Sequence, residues 1–177
     1  MPFLVVCPLN RVAETAVRHR AGALVSLLAE HQALHRPGLI AADNHLQLGL
    51  NDIAVAVDGL VLAQESHVRQ LVDFVRAWDQ TQPLLIHCWM GVSRSPAAAL
   101  IAALSLDPDL DDAELAQALR RAAPFATPNP RLIEIGDALL GRNGALIRAV
   151  KSIGRGADTA QGIPFVFPLQ PEGSAPA

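Results

Sequence analysis

The stretch His87-Cys88-Trp89-Met90-Gly91-Val92-Ser93-Arg94-Ser95-Pro96 concentrates the reactive side chains of this sequence. The apolar run Leu84-Leu85-Ile86 feeds it, and a very apolar run from Ser95 to Leu106 follows. The first run predicts a buried strand. The second predicts a helix, with Pro96 at a favoured opening position. A tight loop between them turns its backbone N–H groups inward at the positive end of the helix, forming a nest for a tetrahedral dianion. Gly91 permits backbone angles that a side chain forbids. Arg94 can hold two phosphoryl oxygens bidentately. The same positive field favours a thiolate at Cys88, the form in which a thiol is a nucleophile. The chemistry this pattern predicts is attack of a cysteine on a bound phosphoester.

Such a loop needs a sheet to carry it. Phe3 to Cys7 and Ala23 to Leu28 read as short buried strands, and Leu46, Leu48 and Leu50 alternate with Gln47 and Gly49 as a third. Asn10 reads as the cap of a helix to about Arg20. Ser66 reads as the cap of a helix carrying Val68, Leu71, Val72, Val75 and Trp78. Val55 to Leu62 fits either a surface loop or a strand. Downstream, Asp111 or Asp112 caps Glu114 to Ala123, Asn129-Pro130 opens Arg131 to Leu140, and Asn143 opens a helix to about Ile153. The order predicts an α/β fold with a central, mostly parallel sheet of four to five strands flanked by helices. Its ligand site belongs at the C-terminal ends of the strands. One domain is expected over residues 1–154. Residues 155–177 read as a tail, disordered in at least its last eight residues, with an apolar island, Ile163 to Leu169, able to dock.

His-Cys, five residues, then Arg-Ser resembles the signature of the protein tyrosine phosphatase superfamily, above all its dual-specificity branch. The resemblance implies a role for each matching position. Cys88 takes the nucleophile that forms a cysteinyl-phosphate. Arg94 takes the phosphate clamp. Ser95 takes the hydroxyl that supports the thiolate and eases phosphate release. His87 orders the loop by hydrogen bonding. The amides of Trp89, Met90, Gly91, Val92, Ser93 and Arg94 take the phosphoryl oxygens. The family also needs a general acid on a separate upstream loop, and Asn51-Asp52, at the end of the third strand, falls where such an aspartate is carried. Asp58 and Asp43 are its rivals, Asp58 the better placed. Leu119-Arg120-Arg121 followed by Pro128-Asn129-Pro130 resembles the helical tail of that branch, so the likeness spans about residues 40 to 140. The implied activity is hydrolysis of a phosphorylated protein or small phosphoester, without metal or cofactor. A silent phosphate-binding module of the same fold is the first alternative. The second is a rhodanese-like sulfurtransferase, whose cysteine loop is usually shorter.

Composition limits the remaining classes. Of 177 residues, 51% are hydrophobic and 18% charged, enough to bury a core. A net charge of −3 argues against a nucleic-acid coat. The longest apolar stretch, Pro96 to Leu106, is about half of the roughly 20 residues a membrane span needs. With only a brief apolar run before Arg11, a cytoplasmic protein is expected. Thirteen arginines against the single Lys151 read as a GC-rich bacterial composition. Arg120 and Arg121 are expected as solvated helix charges. The loop carries no lysine, which disfavours a highly anionic inositol phosphate. Two cysteines cannot build a disulfide framework. Cys7 reads as a core residue, or as a disulfide partner protecting an oxidised Cys88.

Overall fold

The computed structural model describes residues 3–169. The predicted disorder of the last eight residues falls outside them. Strand β1 (Phe3–Pro8) runs through a 3-10 turn into helix α1 (Val12–His19), and β2 (Ala23–Leu28) follows. A long connection leads to β3 (His45–Gly49). Helix α2 (Glu65–Ala77), β4 (Leu84–Cys88) and α3 (Arg94–Leu106) come next. Helices α4 (Asp112–Ala122), α5 (Pro130–Leu139) and α6 (Ala145–Ile153) precede a final strand, β5 (Phe165–Pro168).

The sheet order is β3-β2-β4-β1-β5, with the first four strands parallel and β5 antiparallel on β1. Strands β1, β2 and β4 are apolar almost throughout because helices or loops cover both faces. Side chains alternate between two cores. Val5, Cys7, Leu24 and Leu85 pack under α1 with Ile40. Leu4, Val6, Val25, Leu27, Ile86 and Cys88 face α2 and α3. Every residue of α3 from Arg94 to Ser105 is buried, as an all-round apolar helix must be. Gly136 of α5 comes so near α3 that an added Cβ would stand 2.5 Å from Ile101 Cγ1.

Several helix starts differ from the expected caps. Asn10 does not cap α1; it exchanges hydrogen bonds with Gln161, donating at 3.3 Å and accepting at 2.6 Å. Gln64, not Ser66, precedes α2, and its backbone N–H donates to His67 Nδ1 in a capping box. Asn143 takes a left-handed φ of 53° and Gly144 stands at the cap of α6. The side-chain acceptor at that helix start is the buried Asp137, which takes the amides of Gly144, Leu146 and Ile147 at 2.7, 3.0 and 3.2 Å. Asp111 and Asn129 cap α4 and α5 with their side chains as expected. Val55 to Leu62 is loop.

Arg120 is no solvated charge. Its guanidinium donates to the carbonyls of Pro124, Ala126, Ile153 and Gly154 at 2.7–3.2 Å, clamping the ends of α4 and α6 together. The chain past Gly154, read from sequence as tail, packs on the domain up to Leu169. Gly156 donates to Thr127 Oγ1 at 3.0 Å, Ala157 to Pro124 O at 2.9 Å, and the apolar island becomes β5. Phe167 is fully buried and Phe165 nearly so. The physical reason is the exposed edge of β1, whose unpaired N–H and C=O groups β5 satisfies. No helix among the described residues is long and apolar enough to cross a membrane.

Candidate active site

Strand β4 lies between β2 and β1, so its C-terminal end opens at the middle of the sheet. Cys88 is its last residue, and α3 starts at Arg94. Between them four of the five loop carbonyls, those of Trp89, Met90, Val92 and Ser93, accept from groups outside the loop. Leu9 N–H donates to Trp89 O at 3.2 Å, Gly162 to Met90 O at 2.9 Å, Thr127 to Val92 O at 2.9 Å and Asn129 to Ser93 O at 3.1 Å. A trans peptide sets its N–H opposite its C=O, so the amides of Met90, Gly91, Ser93 and Arg94 turn inward. Gly91 N–H donates to Cys88 Sγ at 3.2 Å. Gly91 has φ 70°, and an added Cβ would stand 2.7 Å from Pro8 N, so position 91 requires glycine twice over.

Ser95 Oγ lies 3.1 Å from Cys88 Sγ, and both residues are buried. Arg94 is 5% exposed. Its Nη1 donates to Leu50 O at 2.9 Å, while its buried Nε has no partner among the described residues. A buried guanidinium with an unspent donor beside inward amides has the chemistry to hold an oxyanion. Trp89, 46% exposed, stands at the rim.

Asp52 follows β3 and reaches the same rim because β3 runs parallel to β4. Its Oδ1 accepts from Ser93 Oγ and from Asn129 Nδ2, both at 2.8 Å. Both bonds fall on one oxygen, and Oδ2 takes no hydrogen bond among the described residues. Asp43 lies in the turn before β3, at the opposite end of the strand from Cys88. Asp58 sits in the exposed loop beyond Asp52.

Asn129 is the residue that sequence reading undervalued. It looked like a cap, and it is one, accepting from Leu132 N–H at 3.0 Å. It also donates to Asp52 and to Ile53 O, and its backbone N–H donates to Ser93 O, so one 2%-exposed residue joins the Asp52 loop, the Cys88 loop and α5. Proline at 130, right after it, was the available signal.

His87 is fully buried and linked on both ring nitrogens. Nδ1 lies 3.2 Å from Cys88 O, which can only accept, so Nδ1 carries the hydrogen. Burial, with the charges of His45 and Arg94 acting the same way, pushes its pKa down to about 4, against a raising hydrogen bond to Cys88 O. Neutral Nε2 therefore accepts from Ser26 Oγ at 2.7 Å, and Ser26 Oγ accepts from His45 Nε2 at 2.8 Å. Ser26 and His45 carried no sequence signal, since only the register of β2 against β3 and β4 brings them together. A histidine whose pKa is lowered by folding stabilises the native state above its unfolded value and loses that contribution as pH falls toward the folded value. Stability should therefore drop between pH 6.5 and about 4, by about 3 kcal/mol from His87. Denaturant titrations of the protein and of His87→Asn across this range check it. Parallel curves would acquit His87.

Cys7 cannot pair with Cys88. In the β1–β4 register Cys7 stands beside His87 and Pro8 beside Cys88, so the two thiols point to opposite faces of the sheet. Burial pushes the Cys7 thiol up to about 12. Both cysteines are free. Among the described residues no group of three His, Cys, Asp or Glu side chains could hold a metal ion.

No family model and no curated protein matches this chain. Solved structures do. DUSP15 aligns with a TM-score of 0.62 at 14% identity, covering 85% of this chain and 96% of its own. Human DUSP28 aligns at 0.58 and 22% identity, covering 78% and 89%. PTPMT1 in complex with PI(5)P aligns at 0.57 and 16%, covering 84% and 94%. The chain has the dual-specificity phosphatase fold. That phosphatase fold places the Cys88 loop at the middle of its sheet, with Asp52 delivered from an outer parallel strand.

Proposed function

We propose that this protein is a phosphomonoester hydrolase of the dual-specificity type, acting through a cysteinyl-phosphate. The observation that carries the reading is the group around Cys88 Sγ: an amide at 3.2 Å, a hydroxyl at 3.1 Å, and Arg94 with an unspent buried donor. The fold shared with solved phosphatases supports it.

The phosphoryl group enters with its oxygens on the inward amides and Arg94. Cys88 Sγ attacks phosphorus; the S–P bond forms as the ester P–O bond breaks. Asp52 gives its proton to the leaving oxygen, which is otherwise a poor leaving group. Asp52, now a carboxylate, takes a proton from water, and that water attacks phosphorus. The S–P bond breaks, and a hydrogen bond from Ser95 Oγ steadies the departing thiolate. The amides and Arg94 hold the charge that spreads over the phosphoryl oxygens. His87 and Ser26 keep the Cys88 carbonyl, and with it the loop, in one orientation.

Substrates are phosphorylated proteins or small phosphoesters. A panel of an aryl phosphate, phosphopeptides and vesicles carrying PI(5)P, the ligand of one neighbour, tests the reading. Turnover of the aryl phosphate and of at least one phosphopeptide is expected. Phosphate binding without turnover would favour a silent module, and persulfide formation on Cys88 with thiosulfate a sulfurtransferase.

A further inference from the structure

We infer that Gly162, on the stretch between α6 and β5, is a positioning residue for the Cys88 loop. The inference rests on the reading of Cys88 as the reactive thiol, but its test does not need turnover.

Gly162 N–H donates to Met90 O at 2.9 Å. Met90 O belongs to the same peptide as the N–H of Gly91, and that N–H donates to Cys88 Sγ at 3.2 Å. Pulling the carbonyl outward aims the amide inward, because the peptide is planar and trans. One bond outside the loop thus sets the direction of the amide that meets the sulfur. An amide donated to sulfur favours the charged form over the neutral one, as hydrogen bonds to ionised groups are the stronger kind.

The approach leaves no room for a side chain. A Cβ added at Gly162 would stand 2.9 Å from Gly91 O, 3.1 Å from Met90 O and 2.8 Å from Phe125 Cε2. On its other side Gly91 abuts Pro8 and Cys7, so the loop is held between the end of β1 and Gly162. The segment itself cannot retreat freely. Upstream it is bonded to Thr127 and Pro124 through Gly156 and Ala157, and downstream β5 is paired along β1. A methyl group at 162 must therefore displace the Met90–Gly91 peptide.

Gly162→Ala tests this. Two readouts apply: the rate of Cys88 alkylation by iodoacetamide at pH 6, followed by peptide mass, and the affinity for inorganic vanadate. Both should fall about tenfold, the worth of one hydrogen bond to a charged group. Phe167→Ala is the control, since it removes a buried ring from the same segment without touching Met90 O. At a temperature where it is folded, it should keep both values near those of the natural protein. Should Gly162→Ala fold poorly, adding Phe125→Leu relieves the ring contact and leaves the Gly91 carbonyl contact, and the same losses are expected. Unchanged alkylation in Gly162→Ala, or equal losses in Phe167→Ala, would overturn the inference. A natural protein that alkylates fast and binds vanadate but turns over no ester would sink the hydrolase reading and leave this one standing.

Discussion

Cys88→Ser should lower turnover of an aryl phosphate by more than about 10⁴-fold, the scale on which loss of a nucleophile acts. A serine hydroxyl is a far weaker acid than a thiol and a poorer nucleophile, and it has no general base beside it: its neighbour there is Ser95 Oγ. Binding should survive. The inward amides are fixed by outward carbonyl bonds to Leu9, Gly162, Thr127 and Asn129, and Arg94 is fixed by Leu50 O. None of these partners involves the sulfur. Calorimetry with a phosphopeptide that the natural protein hydrolyses, run beside turnover assays, checks both halves. Turnover within tenfold of the natural rate would remove Cys88 from the mechanism.

Asp52→Asn should lower turnover by about 10²–10⁴ for esters with poor leaving groups, such as phosphoserine peptides. The loss should shrink for nitrophenyl phosphate, whose leaving group needs no proton. The asparagine oxygen can still accept from Ser93 and Asn129, so the loop stays in place and only the proton is lost. Asp58→Asn should leave the rate near normal, because Asp52, and not Asp58, is the aspartate bonded to Ser93 and Asn129. Near-normal rates in Asp52→Asn with a slow Asp58→Asn would move the acid to Asp58. Comparing the two variants on both ester types decides it.

Most of the fold was legible because its signals are local. Strands β1, β2 and β4 are continuous apolar runs, and the apolar periodicity of α2 is helical. Cys88, Gly91, Arg94 and Ser95 were legible for the same reason. They are covalent near-neighbours, and a strand end feeding a helix start leaves the loop between them little freedom. The caps at Asn10, Ser66 and Asn143 were misread where a better partner lay elsewhere. Asn10 found Gln161, and the amides at the start of α6 found Asp137.

The sequence by itself determined a cysteine loop that can hold an oxyanion, and an α/β sheet to carry it. Tertiary structure alone decided the rest. The strand order makes β3 deliver Asp52 to Ser93 and Asn129. The register of β4 against β2 joins His87 to Ser26, and against β1 it turns Cys7 away from Cys88. The unpaired edge of β1 draws β5 in and carries Gly162 to Met90. The hydrogen bonds among these join residues 41 to 77 positions apart, and the β1–β5 pairing joins residues 159 or more apart. Hydrogen bonds over such separations depend on register, and register is settled only when the two faces of the sheet are buried together.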